Sequence, residues 1–186
     1  MTTIIVLSIV FVIIVLIIIS ISNGIIRKRN QVNNALGSVD AQLKKRYDLI
    51  PNLVETVKQY ATHEKSILEE VTALRTRAMS GNISKQEKDE IDNKISRSIS
   101  GIMVAVENYP DLKASENFIN LQQNLTEVES QISAARRFYN TAVTEYNNSI
   151  ETFPGNIIAN LNKYQPMEVF EITEQERKNV NVKDLF

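Results

Sequence analysis

His63 is the only histidine in this chain, and it stands beside Glu64. That pair is the first place to look for chemistry. A helical zinc-hydrolase motif needs a second histidine four positions after the first, with the glutamate as general base. Position 67 is Ile67, so the motif is incomplete, and the chain has no cysteine to supply a thiolate ligand. This inventory predicts no His- or Cys-based metal site within one chain. Nucleophilic catalysis meets the same obstacle. No G-x-S-x-G elbow occurs, and any Ser–His–Asp triad would have to draw on His63. Gly24, Gly37, Gly81, Gly101 and Gly155 are scattered, so no glycine-rich loop cradles a phosphate. Glu69-Glu70, the pair Glu127/Glu129 and Arg136-Arg137 fall within helical patterns and are expected to form solvated faces. The expectation is a chain with no catalytic residue, no cofactor and no metal.

The elements that position these groups are helices. Glycine (5) and proline (4) are scarce among 186 residues, which favours long helices and few turns. A net charge of −1 argues against a nucleic-acid footprint. Ile4 to Ile26 is almost uninterrupted aliphatic sequence, and about 20 such residues cross a bilayer core. No lysine or arginine precedes the run and no A-x-A-like site follows it, so an uncleaved anchor is expected rather than a signal peptide. Arg27, Lys28 and Arg29 follow directly, then Lys44, Lys45 and Arg46. The positive-inside rule places the amino terminus outside and residues 27–186 in the cytoplasm. Arg27, Lys28 and Arg29 are also candidates for contact with anionic headgroups.

After the anchor, Leu36, Leu43, Ile50, Val57, Val71 and Ala78 fall on one seven-residue series. Val39, Val54, Ala61, Leu68 and Leu74 fill out the same stripe. The stripe holds its phase across Pro51. A kinked but continuous helix is therefore expected, a rod of about 80 Å running to Met79 at 1.5 Å per residue. The alternative is a new helix capped by Asp48, with Pro51 in its first turn. Ser80-Gly81-Asn82 signals a turn, and Ser84 with Glu87 fits a capping box. The next helix carries Ile91, Ile95, Ile99, Ile102 and Val106, and ends before Pro110. A last long helix, opening near Ser115, carries Phe118, Leu121, Leu125, Val128, Ile132, Ala135, Tyr139, Ala142, Tyr146, Ile150 and Phe153 at spacings of three and four. That seam packs against partner helices, in one chain or between chains. Phe153-Pro154-Gly155-Asn156 is a stop, Ile157–Leu161 has the pattern of a short helix, and Val180–Phe186 is an apolar end. The fold class is all-α: a transmembrane helix (1–26), an antiparallel bundle of three long helices, or four if the chain breaks at Pro51 (27–153), and a tail (154–186). Asn-x-Ser/Thr triplets at Asn82, Asn124 and Asn147 are expected to be chance matches in a cytoplasmic domain.

Several blocks resemble the LemA family. The first comprises Arg29-Asn30, Asp40-Ala-Gln-Leu-Lys-Lys-Arg-Tyr-Asp-Leu-Ile-Pro-Asn-Leu-Val-Glu-Thr-Val57, Tyr60-Ala61 and His63-Glu64. The second comprises Tyr109-Pro-Asp-Leu-Lys-Ala114, Ala135-Arg136, Tyr139-Asn140, Tyr146-Asn147 and Phe153-Pro154. The family commonly has a tryptophan beside Ala35, where this chain has Leu36 and Gly37. The resemblance implies a single-pass protein of the bacterial cytoplasmic membrane with a helical bundle and no established enzymatic activity. Relatives take part in building intracellular membrane organelles, and others are associated with membrane metalloproteases. Expected partners are the lipid bilayer, further copies of the chain and a membrane protein, with no nucleic acid. The function expected is a scaffold or adaptor, the alternative a regulatory partner of a membrane protease or transporter. The motif residues Lys44, Arg46, Asp48, Pro51, Asn52, Glu55, His63 and Glu64 are the candidate interaction or structural set.

Overall fold

The computed structural model describes residues 1–61, 63–81 and 83–170; the apolar end Val180–Phe186 and Asn82, which opens one of the Asn-x-Ser/Thr triplets, lie outside the described residues. Among the described residues six helices follow in order: α1 (Thr2–Lys58), α2 (Lys65–Ala78), α3 (Lys85–Val106), α4 (Pro110–Lys113), α5 (Glu116–Glu151) and α6 (Gly155–Asn162). No strand occurs among the described residues. The chain divides into two compact units, one made by residues 1–40 with 133–170, the other by residues 41–132.

In the second unit, the helix passes through Pro51 without a break and ends at Lys58, not near Met79. The expected single rod is therefore two helices. The interruption lies at residues 59–64, where the Ala61 and Tyr60 amides both close on the Val57 carbonyl. Val57, Ala61, Leu68 and Val71 are buried on both sides of the interruption. The stripe kept its phase because α1 and α2 bury apolar side chains on either side of a short turn, not because one helix continues. Ser84 caps α3 as expected, accepting from the Glu87 amide at 3.1 Å. The Glu87 carboxylate does not close a capping box; it takes Arg77 instead, at 2.6 and 2.8 Å. Pro110 opens α4 at a position where its missing N–H costs no helical bond. A methyl on Gly101 of α3 would stand 2.7 Å from Ile67 Cδ1 of α2, so glycine permits the close approach of these two helices.

The first unit begins with the anchor. The large apolar side chains from Ile4 to Ile19 are exposed, and the first buried side chain is Ile25. Every seam residue from Phe118 to Ile150 is buried within the chain except the half-buried Ala135, whereas Phe153 is 79% exposed. The apolar end of that list thus belongs to a surface, not to the seam. Gly155 is held against the Ser149 carbonyl so closely that an added Cβ would lie 2.0 Å from that oxygen. Gly155→Ala is expected to destabilise the α5–α6 junction by roughly 1–3 kcal/mol. Urea titration of the detergent-solubilised protein measures this, and an unchanged midpoint would contradict the close approach.

Candidate functional site

The motif residues of α1 separate into an inward and an outward set. Arg46 points inward and is 1% exposed. Its Nη1 donates to Ser96 Oγ of α3 at 2.8 Å and to Glu129 Oε2 of α5 at 2.9 Å. Its Nη2 donates to Asp92 Oδ1 at 3.3 Å and approaches the Asp92 carbonyl at 3.5 Å. Tyr47, next along α1, donates its hydroxyl to the same Asp92 Oδ1. Asp92 is fully buried as well, while Glu129 remains half open to solvent. One guanidinium thereby ties three helices together. The work of this arrangement is to set how α1, α3 and α5 meet.

Pro51 is answered by a second arginine. Proline has no N–H, so the Tyr47 carbonyl four residues earlier lacks its helical donor. Arg75 Nε of α2 donates to that carbonyl at 2.7 Å. The proline in α1 and the docking of α2 are thus one feature: the first opens an acceptor and the second fills it. In a double-mutant cycle, Arg75→Met is expected to cost about 1–3 kcal/mol in the native chain and markedly less beside Pro51→Ala. Additive effects in urea melts would break the link. Pro51→Ala alone should leave the helical circular dichroism nearly unchanged, since α1 already continues through this position.

The other motif residues face outward or lie in the turn. Lys44 and Asp48 pair at 2.7 Å while 68% and 50% exposed, a contact worth little in stability. Pro51, Asn52 and Glu55 are exposed, as is His63. Glu64 is half-buried and accepts the Tyr109 hydroxyl at 3.4 Å. Partial burial first, and then the Glu64 carboxylate, raise the Tyr109 phenol above its ordinary value, so it stays protonated as the donor. Of the basic triplet, Arg27 is exposed, Lys28 donates to the Glu145 carbonyl at 3.3 Å, and Arg29 lies 5.9 Å from the Tyr164 ring centre.

A second constellation lies on α5. Asn140 exchanges two hydrogen bonds with the Phe170 main chain, at 3.0 and 2.8 Å. Asn147 does the same with Met167, both at 2.9 Å. Tyr139 and Tyr146 donate to the Glu168 and Gln165 carbonyls at 3.1 and 3.2 Å. The Phe170 ring packs at 4.8 Å on Tyr139, with Arg136 5.5 Å from its centre. The spacing explains the match. Seven helical residues rise about 10.5 Å, and three residues of nearly extended chain span about 10 Å. Two Tyr-Asn pairs seven apart therefore form a clamp that grips a strap of residues 165–170 by its backbone. Burial raises the Tyr146 phenol above its ordinary 10.0, with Arg29 pulling it the other way. Folding thus favours the protonated form. That contribution is complete below about 10 and fades as pH climbs through the higher folded value.

Sequence reasoning singled out Arg46 but not Asp92, Ser96, Arg75 or the clamp. It assigned Glu129 and Arg136 to solvated faces, whereas Glu129 holds Arg46 and Arg136 stacks beside Phe170. One signal was available: Asp92 sits within the Ile91–Ile95–Ile102 stripe, where a charge needs a buried partner. Arg75 could have been sought as the donor that an interior proline requires.

An apolar helix long enough to cross a membrane, joined to an all-helical bundle locked by a buried arginine, defines a membrane-associated helical protein. The LemA family model matches residues 35–183, and the chain belongs to the LemA family. It is similar to Protein LemA of Metamycoplasma hominis, 26% identical over 163 residues, covering 88% of this chain and 74% of the relative. It is also similar to magnetosome proteins MamQ 2 and MamQ 1 of Paramagnetospirillum magneticum, each 24% identical over 157 residues. Those matches cover 71% of this chain and 58% of each relative. LemA proteins are not known as an enzyme family.

Proposed function

We propose that this chain is a non-enzymatic helical scaffold held in the bacterial cytoplasmic membrane, with its amino terminus outside and its bundle in the cytoplasm. It self-associates or recruits a membrane protein through an outward polar face of α1. The observation that carries this reading is the division of the motif. Arg46 is consumed by the interior, while Lys44, Asp48, Asn52 and Glu55, spaced four, four and three, line the exposed side of the same helix. Their side chains are not needed to hold the bundle, so they are available to a partner. The basic residues after the anchor support the orientation. A depression on α5, lined by Gln122, Thr126, Ser130 and neighbours on that one helix, lies open to solvent.

Light scattering of the detergent-solubilised protein tests the proposal, with a mass above the monomer expected. Reversing charge through Asp48→Lys with Glu55→Lys should change stability by no more than about 0.5 kcal/mol, since both sites are exposed surface. The same pair should abolish the higher mass or the capture of a crosslinked membrane partner. Retained assembly in that variant would remove the face from the proposal. Protease digestion of the bundle in right-side-out vesicles would overturn the orientation.

A further inference from the structure

We propose that α6 is a second membrane contact, lying in the interface of the bilayer that holds α1. This rests on the reading of α1 as a membrane anchor. Its first support is where α6 is fixed. A Cβ built on Gly155, at the start of α6, would lie 4.0 Å from Ile25 Cδ1. Tyr164, just past its end, lies under the Arg29 guanidinium at 5.9 Å. Ile25 and Arg29 are the residues where the exposed apolar run gives way to basic ones. They differ by about 6 Å in height along α1, whereas α6 is about 12 Å long. The short helix therefore crosses α1 at the level where the hydrocarbon ends, inside the band that the headgroups occupy.

The second support is what α6 shows to its surroundings. Gly155, Ile158 and Ala159 are buried, so one side is satisfied by the protein. Ile157 and Leu161, one turn apart on the other side, are 53% and 78% exposed, and Phe153 just before the helix is 79% exposed. Ile25, which faces the start of α6, directly precedes Ile26, where the exposed apolar run of α1 ends. Arg27, Arg29 and Lys163 are exposed at the same level, where anionic headgroups would meet them. A short helix with one satisfied face, one greasy face and a basic fringe is suited to the boundary between headgroups and acyl chains. The occupant of the greasy face is lipid, because the same side of the molecule already enters lipid through α1.

The chain has no tryptophan, so single tryptophans report without background. Leu161→Trp, Ile157→Trp and, as the reference within the anchor, Phe11→Trp are placed in the full chain. Each is reconstituted in phosphatidylcholine–phosphatidylglycerol vesicles carrying brominated acyl chains. Phe11→Trp should be quenched most by deeply placed bromines. Leu161→Trp and Ile157→Trp should each lose at least about half their emission, most strongly to bromines near the headgroups, and resist iodide. If the reference is quenched while both α6 tryptophans keep their emission and yield to iodide, α6 does not touch lipid and the inference fails. It fails equally if they resist both quenchers, since protein then covers the face. An unquenched reference would overturn the anchor reading, and this inference with it.

Discussion

Arg46→Met is expected to lose roughly 3–5 kcal/mol of folding stability, the largest effect of any single substitution considered for this chain. The reason is asymmetric. The pair of Arg46 and Asp92 gains little net free energy over a well-packed apolar pair, because both charges are stripped of water. Removing the arginine alone, however, takes the guanidinium away from the buried Asp92 carboxylate, and takes the donor from Ser96 and Glu129 as well. Arg46→Met combined with Asp92→Leu should therefore recover most of the loss. Glu129→Gln should cost about 1 kcal/mol or less, because Glu129 is half open to water. Urea melts of the detergent-solubilised variants decide this. If Arg46→Met and Glu129→Gln cost the same, the centre is wet and its role as a lock between α1, α3 and α5 is lost.

The second large effect concerns the strap. Asn140→Ala with Asn147→Ala removes four hydrogen bonds between α5 and the main chain of Met167 and Phe170. At 0.5–1.5 kcal/mol each, docking should weaken by about 2–6 kcal/mol, and exchange of the Met167 and Phe170 amides should accelerate at least about 30-fold. The global melt should move much less, because the apolar seam of α5 is untouched and the opening is local. Asn147→Asp is the sharper variant. It keeps an acceptor for the Met167 amide but sets a carboxylate against the Met167 carbonyl, so it should release that end of the strap while leaving the Phe170 amide better protected. Unchanged exchange in the double variant would mean that side-chain packing, chiefly Phe170 on Tyr139, holds the strap.

The clamp and the lock differ in how visible they are along the chain. Tyr139-Asn140 and Tyr146-Asn147 are seven apart and legible as a repeat, yet nothing in them announces a backbone to be gripped. That depends on chain returning antiparallel after α6. Arg46 was legible as a motif residue, but its burial depends on Asp92 and Glu129, which come 46 and 83 positions later. The outward position of Lys44, Asp48, Asn52 and Glu55 follows from helical spacing once Leu43, Ile50 and Val57 are known to face the core.

By itself the sequence determined what arises within one or two helical turns. Apolar residues at spacings of three and four could only bury one face, and Phe118 to Ile150 did so, with Ala135 half covered. Ser84 reached a cap three residues away, and about twenty aliphatic residues made a helix able to cross a membrane. Tertiary structure decided whatever needed a partner far along the chain. Pro51 stays inside α1 because Arg75 supplies the missing donor, and the helix ends at Lys58, where no glycine or proline marks the place. Periodicity could not distinguish those outcomes, because it records which side faces the core and is blind to a short turn between two helices that share it.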